Sequence, residues 1–231
     1  MRTIKVTIEK ETRLNKYLAD IGVASRRGAD KMIEENKVTV NNKKVTLGQK
    51  VKDGDTIKIK EESKEYIYAL YNKPRGEVTG RLSELPSCEP LGRLDKESEG
   101  LLLYTNDYRV NEKLLHPRFA REKEYEVSIR EKATPRVITL LKKGIWTQEA
   151  IYAPVRDIQI VNEGRHLRIV LTEGKKHEIR RMLNALNLTV LSLKRVRIGS
   201  FTVRGLKSGD IHYLLPRQKE TLLKELDLAN S

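Results

Sequence analysis

Leu91-Gly92-Arg93-Leu94-Asp95-Lys96-Glu97-Ser98-Glu99-Gly100-Leu101-Leu102-Leu103 sets a polar, glycine-bounded turn directly before a run of leucines. The run is short and wholly apolar, so it reads as a buried strand. A turn held by a buried strand is a rigid mount for a side chain. From these residues alone, Asp95 is a turn or capping aspartate.

The surroundings are mixed in type. Residues 66–72 and 101–105 are compact apolar strand candidates, and Asn106 or Asp107 can cap a helix to about Leu115. Residues 122–130 alternate like a strand. Thr134-Pro135 pairs an N-cap with proline at the first helical position, predicting a helix to about Lys143. Residues 151–161, 166–172 and 189–203 are further strand candidates. Residues 175–187 place Ile179, Met182, Leu183 and Leu186 on one helical face, and Pro216 opens a final helix to about Leu226. The strands lie too close together for regular βαβ units, which favours an α+β fold on a mainly antiparallel mixed sheet.

Toward the N-terminus, residues 13 to 36 read as two short helices. Leu14, Leu18 and Ile21 share a face of the first, Gly22 ends it, and Ser25 caps the second, whose stripe is Ala29, Met32 and Ile33. A hairpin turning at Asn41-Asn42 follows, then the turn Asp53-Gly54 and the alternating strand Thr56-Ile57-Lys58-Ile59. Residues 60–65 are charged and lack apolar side chains, a linker composition. The expected division is a small α/β domain over 1–62 and a larger domain over 63–231.

Composition narrows the function. A net charge of +14 and a pI near 9.7 attract polyanions. Residues 165–207 hold eleven Lys or Arg against two acids, so the strongest nucleic-acid-facing surface is expected there. No apolar run approaches the ~20 residues of a membrane span, and Met1-Arg2-Thr3-Ile4-Lys5 lacks an apolar signal region. The single cysteine, Cys88, cannot form an internal disulfide and points to the cytoplasm. The four histidines show no metal-ligand spacing, so no metal is expected. Phosphate-loop, dinucleotide-loop and nucleophile-elbow motifs are absent, and no nucleotide cofactor is expected.

Two resemblances sharpen this. Arg13-Leu14-Asn15-Lys16-Tyr17-Leu18, Gly22-Val23-Ala24-Ser25-Arg26-Arg27, Val38-Thr39-Val40-Asn41 and Val51-Lys52-Asp53-Gly54-Asp55 resemble the small RNA-binding domain first described in ribosomal protein S-four, over about residues 12–60. Gly28 departs from that pattern by removing a capping-box glutamate, which weakens the helix start by ~1 kcal/mol. The Asp95 segment itself resembles the catalytic motif of RsuA-type RNA pseudouridine synthases, with Ser98 in place of the more frequent Thr. Tyr71-Asn72-Lys73-Pro74-Arg75-Gly76, Lys123-Glu124-Tyr125, Glu173 through Met182 (with Glu178 where Gln is usual), and Leu193 through Gly199 resemble that family's other segments, in order.

The resemblance implies an enzyme that isomerises uridine in RNA without redox change or cofactor. Asp95 falls on the family's catalytic carboxylate, acting at the ribose as nucleophile or base. Arg180 would pair with it and keep it ionised. Tyr125 would stack on the uracil and Leu193 would form a floor beneath it, although by pattern alone both are ordinary core residues. RNA contacts are expected from Arg13, Lys16, Arg26, Arg27 and Lys31 in the first domain. Arg93, Lys123, Lys175, Lys176, His177 and Arg181 would add contacts from the second, with His177 a surface or stacking residue and not a general base. The expected partner is ribosomal RNA, large-subunit slightly ahead of small-subunit, with tRNA as the other RNA class; the protein is expected to be a cytoplasmic monomer. The rival readings are a non-catalytic RNA-binding or ribosome-assembly protein, and an RNA methyltransferase, for which no glycine-rich donor loop is found. The connection between Asn72 and Gly92 is shorter than this family usually shows, which bears on target choice.

Overall fold

The computed structural model describes residues 1–60, 65–115, 119, 121–147 and 150–228. The first unit comprises β1 (Arg2–Lys5), β2 (Thr12–Arg13), α1 (Leu14–Asp20), α2 (Arg26–Glu34), β3 (Val38–Val40), β4 (Lys43–Lys44), β5 (Lys50–Val51) and β6 (Thr56–Ile59). Its main sheet has the order β1-β6-β3-β4. Leu14, Leu18, Ala29 and Ile33 from the helices close over Val38, Val40, Ile57 and Ile59 from the sheet. Local chemistry sets the turns. Ser25 Oγ accepts from Gly28 N at 3.0 Å, capping α2 as expected. Asn41 and Asn42 both take positive φ, the requirement of a two-residue hairpin. Asp55 Oδ2 accepts from Lys52 N at 2.9 Å and Oδ1 from Asn41 Nδ2 at 2.8 Å; these bonds hold its carboxyl below the usual range.

The second unit comprises β7 (Tyr68–Lys73), β8 (Glu89–Leu91), β9 (Glu99–Thr105), α3 (Tyr108–Leu115), β10 (Lys123–Ile129), α4 (Pro135–Lys143), β11 (Ile145–Trp146), β12 (Ile151–Tyr152), β13 (Asp157–Val161), β14 (His166–Leu171), α5 (Glu178–Asn184), β15 (Val190–Ile198), β16 (Phe201–Thr202), β17 (Ile211–Tyr213) and α6 (Pro216–Glu225). One sheet runs β13-β14-β10-β15-β9-β7-β17, with β16 beside β15 and β8 beside β9. Among the described residues every pairing in it is antiparallel except β15 with β9. The mainly antiparallel α+β architecture is the expected one. Alternation places Leu102, Tyr104, Tyr125, Val127 and Ile129 on the face covered by α4 and α5, and Leu101 and Leu103 on the face covered by α3 and α6.

The expected boundary at 62/63 lies outside the described residues, as does most of the linker. The two units nevertheless touch. A Cβ on Gly22 would lie 3.0 Å from Cα of Arg109, and Tyr108 packs against the first unit's core. Arg109 is fixed there by Asp107 at 2.9 Å and by the Tyr66 ring at 4.8 Å.

Three elements differ from expectation. The 151–161 segment breaks into β12 and β13 around Pro154, which has no N–H to give a ladder. The helix expected from 175 starts at Glu178, because His177 takes the left-handed φ of 55°. The polar strand β1 carries no apolar alternation strong enough to announce it, yet it pairs along β6.

Candidate active site

Asp95 sits in the loop entering β9, and that loop is clamped on several sides. Thr79 Oγ1 donates to the carbonyl of Leu94 at 2.8 Å and accepts from Leu94 N at 3.1 Å. Gly76 N donates to the carbonyl of Lys96 at 2.7 Å, and Ser98 N to that of Asp95 at 3.0 Å. Arg180 Nη2 donates to the carbonyl of Glu97 at 3.0 Å. Beneath the loop, Lys73 is fully buried, with Nζ donating to the carbonyls of Pro74 and Glu77 at 2.8 Å each. Burial lowers its pKa, against the pull of Glu77, Glu99, Asp95 and Glu97. Gly100 takes φ +109°, and a Cβ there would meet the Arg195 carbonyl oxygen at 2.2 Å; only glycine lets β9 approach β15 this closely.

The α5 segment meets this loop through His177. Its Nε2 lies 3.3 Å from Oδ1 of Asp95, both side chains being partly exposed. A non-glycine residue in the left-handed region costs on the order of 1 kcal/mol, and such strain gathers at functional sites. Here the strained residue is the one whose imidazole meets the carboxylate. Arg180 does not make the expected ion pair with Asp95 among the described residues: its position one turn into α5 brings the guanidinium to the loop backbone instead. The contact of His177, expected as a surface or stacking residue, with Asp95 is not anticipated from the sequence.

Tyr125 and Leu193 are buried neighbours on adjacent strands, Tyr125 opposite Arg195 and Leu193 opposite Val127. Lys123, expected to contact RNA, is instead buried, with Nζ donating to the carbonyl of Arg121 at 3.2 Å. Its pKa is lowered by burial and by Arg195, and raised toward normal by Glu178. Arg93, Lys175, Lys176 and His177 are exposed, and Arg181 is half-buried. In the first unit Arg13, Lys16, Arg26, Arg27 and Lys31 are all exposed, with Lys31 3.8 Å from Glu35.

Glu178 is marked by the sequence only as standing where glutamine is usual in the resembling family, and is given no role. It is 4% exposed. Oε2 accepts from Lys175 N at 2.8 Å, whereas Oε1 meets no donor among the described residues. Burial first, then the neighbouring Glu173, push its carboxyl up to about 7, opposed by the Lys175 N–H. Glu173 moves the other way: its own burial is overcome by hydrogen bonds from Glu178, Lys175 and Ala153. The pair therefore holds one proton across part of the neutral range, placed on Glu178.

A family model described as RNA pseudouridylate synthase matches residues 67–185, which include the Asp95 loop, Tyr125 and the Glu173–Met182 segment. The chain belongs to this family. A second model, the S4 domain, matches residues 12–57, the unit built on α1 and α2. Among similar proteins, a Bacillus subtilis protein named ribosomal large subunit pseudouridine synthase B is 35% identical, covering 91% of this chain and 95% of its own. The Escherichia coli K12 dual-specificity RNA pseudouridine synthase RluF is 29% identical, over 96% and 82%. A crystal structure of a pseudouridylate synthase superposes with a TM-score of 0.68 at 25% identity, over 91% and 99%. This pseudouridine synthase thus carries an S4 domain ahead of its synthase domain, and neither the methyltransferase nor the non-catalytic reading is favoured. No described helix is long and apolar enough to cross a membrane.

Proposed function

We propose that this pseudouridine synthase acts on a uridine of large-subunit ribosomal RNA, with Asp95 as its catalytic carboxylate. The observation that carries the reading is the clamped Asp95 loop, on which the carboxylate faces the basic α5 segment through His177. The bond between ribose C1′ and uracil N1 breaks, the ring turns, and C1′ bonds to C5. The proton leaving C5 is balanced by one gained at N1, so no oxidant or cofactor enters. Asp95 acts at the ribose. Arg180 and Thr79 hold its loop, and His177 orients the carboxylate. Tyr125 stacks on the uracil over the floor made by Leu193. The target leaves its own stack, at a cost of a few kcal/mol, to enter this site. Arg93, Lys175, Lys176 and Arg181 hold flanking phosphates, and the exposed bases of the S4 domain hold a more distant segment. The division at 62/63 belongs to this proposal and is supported by the separate hydrophobic clusters on either side. The name of the Bacillus subtilis relative, a ribosomal large subunit pseudouridine synthase, supports ribosomal RNA as substrate.

The test uses purified protein with transcribed large- and small-subunit ribosomal RNA and tRNA, followed by mapping of carbodiimide-dependent reverse-transcription stops. One new stop on the large-subunit transcript is expected, absent with Asp95→Asn although RNA is still bound. A stop confined to another RNA corrects the substrate. Normal turnover by Asp95→Asn overturns the carboxylate assignment.

A further inference from the structure

The small hairpin β11–β12 carries the protein's single tryptophan. Trp146 is 79% exposed and its cross-strand partner Ile151 is 59% exposed. Partners opposite one another project to the same side of a hairpin. The other pair, Ile145 and Tyr152, is buried in the core, so Trp146 and Ile151 form an apolar patch that faces solvent. An indole left open on a protein of charge +14 is not explained by packing.

The hairpin is tied to the basic α5 segment. Lys175 Nζ donates to the carbonyl of Ile151 at 2.9 Å and lies 5.8 Å from the centre of the Tyr152 ring. Two residues later, His177 reaches Asp95. Thr147 stiffens the strand end, its Oγ1 donating to the carbonyl of Ala150 at 2.9 Å and accepting from Ala150 N at 3.0 Å. The indole thus lies on a hairpin whose second strand is bonded to the exposed Lys175.

We infer that Trp146, backed by Ile151, is a stacking platform for an unpaired nucleobase flanking the target uridine. The inference rests on the proposed RNA substrate. Charge favours this occupant: a nucleic-acid strand brings a flat apolar ring and an anionic phosphate together, matching an exposed indole on a hairpin bonded to Lys175 of the basic segment. In the proposed function Tyr125 serves the target uracil, so a flanking base needs a different ring. Base–aromatic stacking is sequence-tolerant, so the platform grips the strand without reading it.

Because Trp146 is the only tryptophan, emission excited selectively at the red edge of tryptophan absorption, where the nine tyrosines do not absorb, reports on this position alone. The test titrates the full chain with polyuridylate and with the large-subunit transcript, while filter retention of labelled RNA measures binding independently. Expected results are quenching of the Trp146 emission on binding, and affinity weaker by roughly 10- to 100-fold for Trp146→Ala, with Trp146→Phe recovering part of the loss. KM rises in Trp146→Ala while kcat stays near wild type, and the melting temperature without RNA is unchanged. If RNA is retained but emission is silent and Trp146→Ala binds normally, this inference fails and the RNA substrate stands. If the wild-type protein retains neither RNA, both fail. If Trp146→Ala modifies naked RNA normally and loses activity only on ribonucleoprotein particles, the patch docks a protein and the inference is overturned.

Discussion

Glu178→Gln isolates one buried proton. In the folded protein Glu178 keeps its proton up to about pH 7, whereas an unfolded glutamate gives it up near 4.5. Between those values the folded state binds more protons than the unfolded state, so stability falls as pH rises, and the loss is complete above the folded value. A difference of that size corresponds to about 3 kcal/mol at 1.36 kcal/mol per unit. Glutamine keeps the shape, still accepts from Lys175 N, and offers its amide to Glu173 at every pH. The measurement is urea denaturation of both proteins, followed by circular dichroism, at about pH 5 and about pH 8.5. The two should be nearly equally stable at the lower pH. At the higher pH the variant should be more stable by ~2–3 kcal/mol, the groups common to both cancelling. A gap that does not change with pH would refute the reasoning: burial would then not be what holds the proton on Glu178.

Gly100→Ala should destabilise the synthase domain by ~3–5 kcal/mol, because the added Cβ meets the Arg195 backbone at 2.2 Å in a backbone conformation closed to alanine; a thermal melt within a degree or two of wild type would contradict this. Thr79→Val removes both bonds that clamp Leu94 and should lower kcat roughly 10- to 100-fold at nearly unchanged RNA affinity, read from single-turnover kinetics. Ser25→Ala removes the cap of α2 and should cost the S4 domain about 1 kcal/mol, seen as faster amide exchange at Gly28 and Ala29 with synthase-domain amides unaffected.

Features governed by neighbouring residues were legible in the chain. Ser25 caps the helix it precedes, the Asn41-Asn42 pair turns the hairpin, and Thr134-Pro135 starts α4 where those residues favour a start. Asp95 was legible only as part of an ordered set of segments, since an aspartate in a turn is ordinary. What escaped depends on distant or conformational facts. Lys123 reads as a surface cation, but its place at the start of β10 between two strands buries it. The β15–β9 pairing joins segments nearly a hundred positions apart, and no local pattern announces it. The contact of His177 with Asp95 depends on a fold that brings α5 to the Asp95 loop and on a left-handed angle at His177, neither of which has a local sequence signal.

That parallel contact between Gly100 and Arg195 also sets a timetable. A chain emerging from the ribosome exposes the Asp95 turn long before β15 exists, and domains generally fold from the N-terminus during synthesis. The S4 domain needs only the first sixty or so residues for its core, so it can close and engage RNA early. The synthase sheet cannot join its halves until residue 195 is available, a long-range closure of the kind that slows folding. The first domain can thus be complete while the sheet that carries the Asp95 loop still lacks the strand that joins its halves.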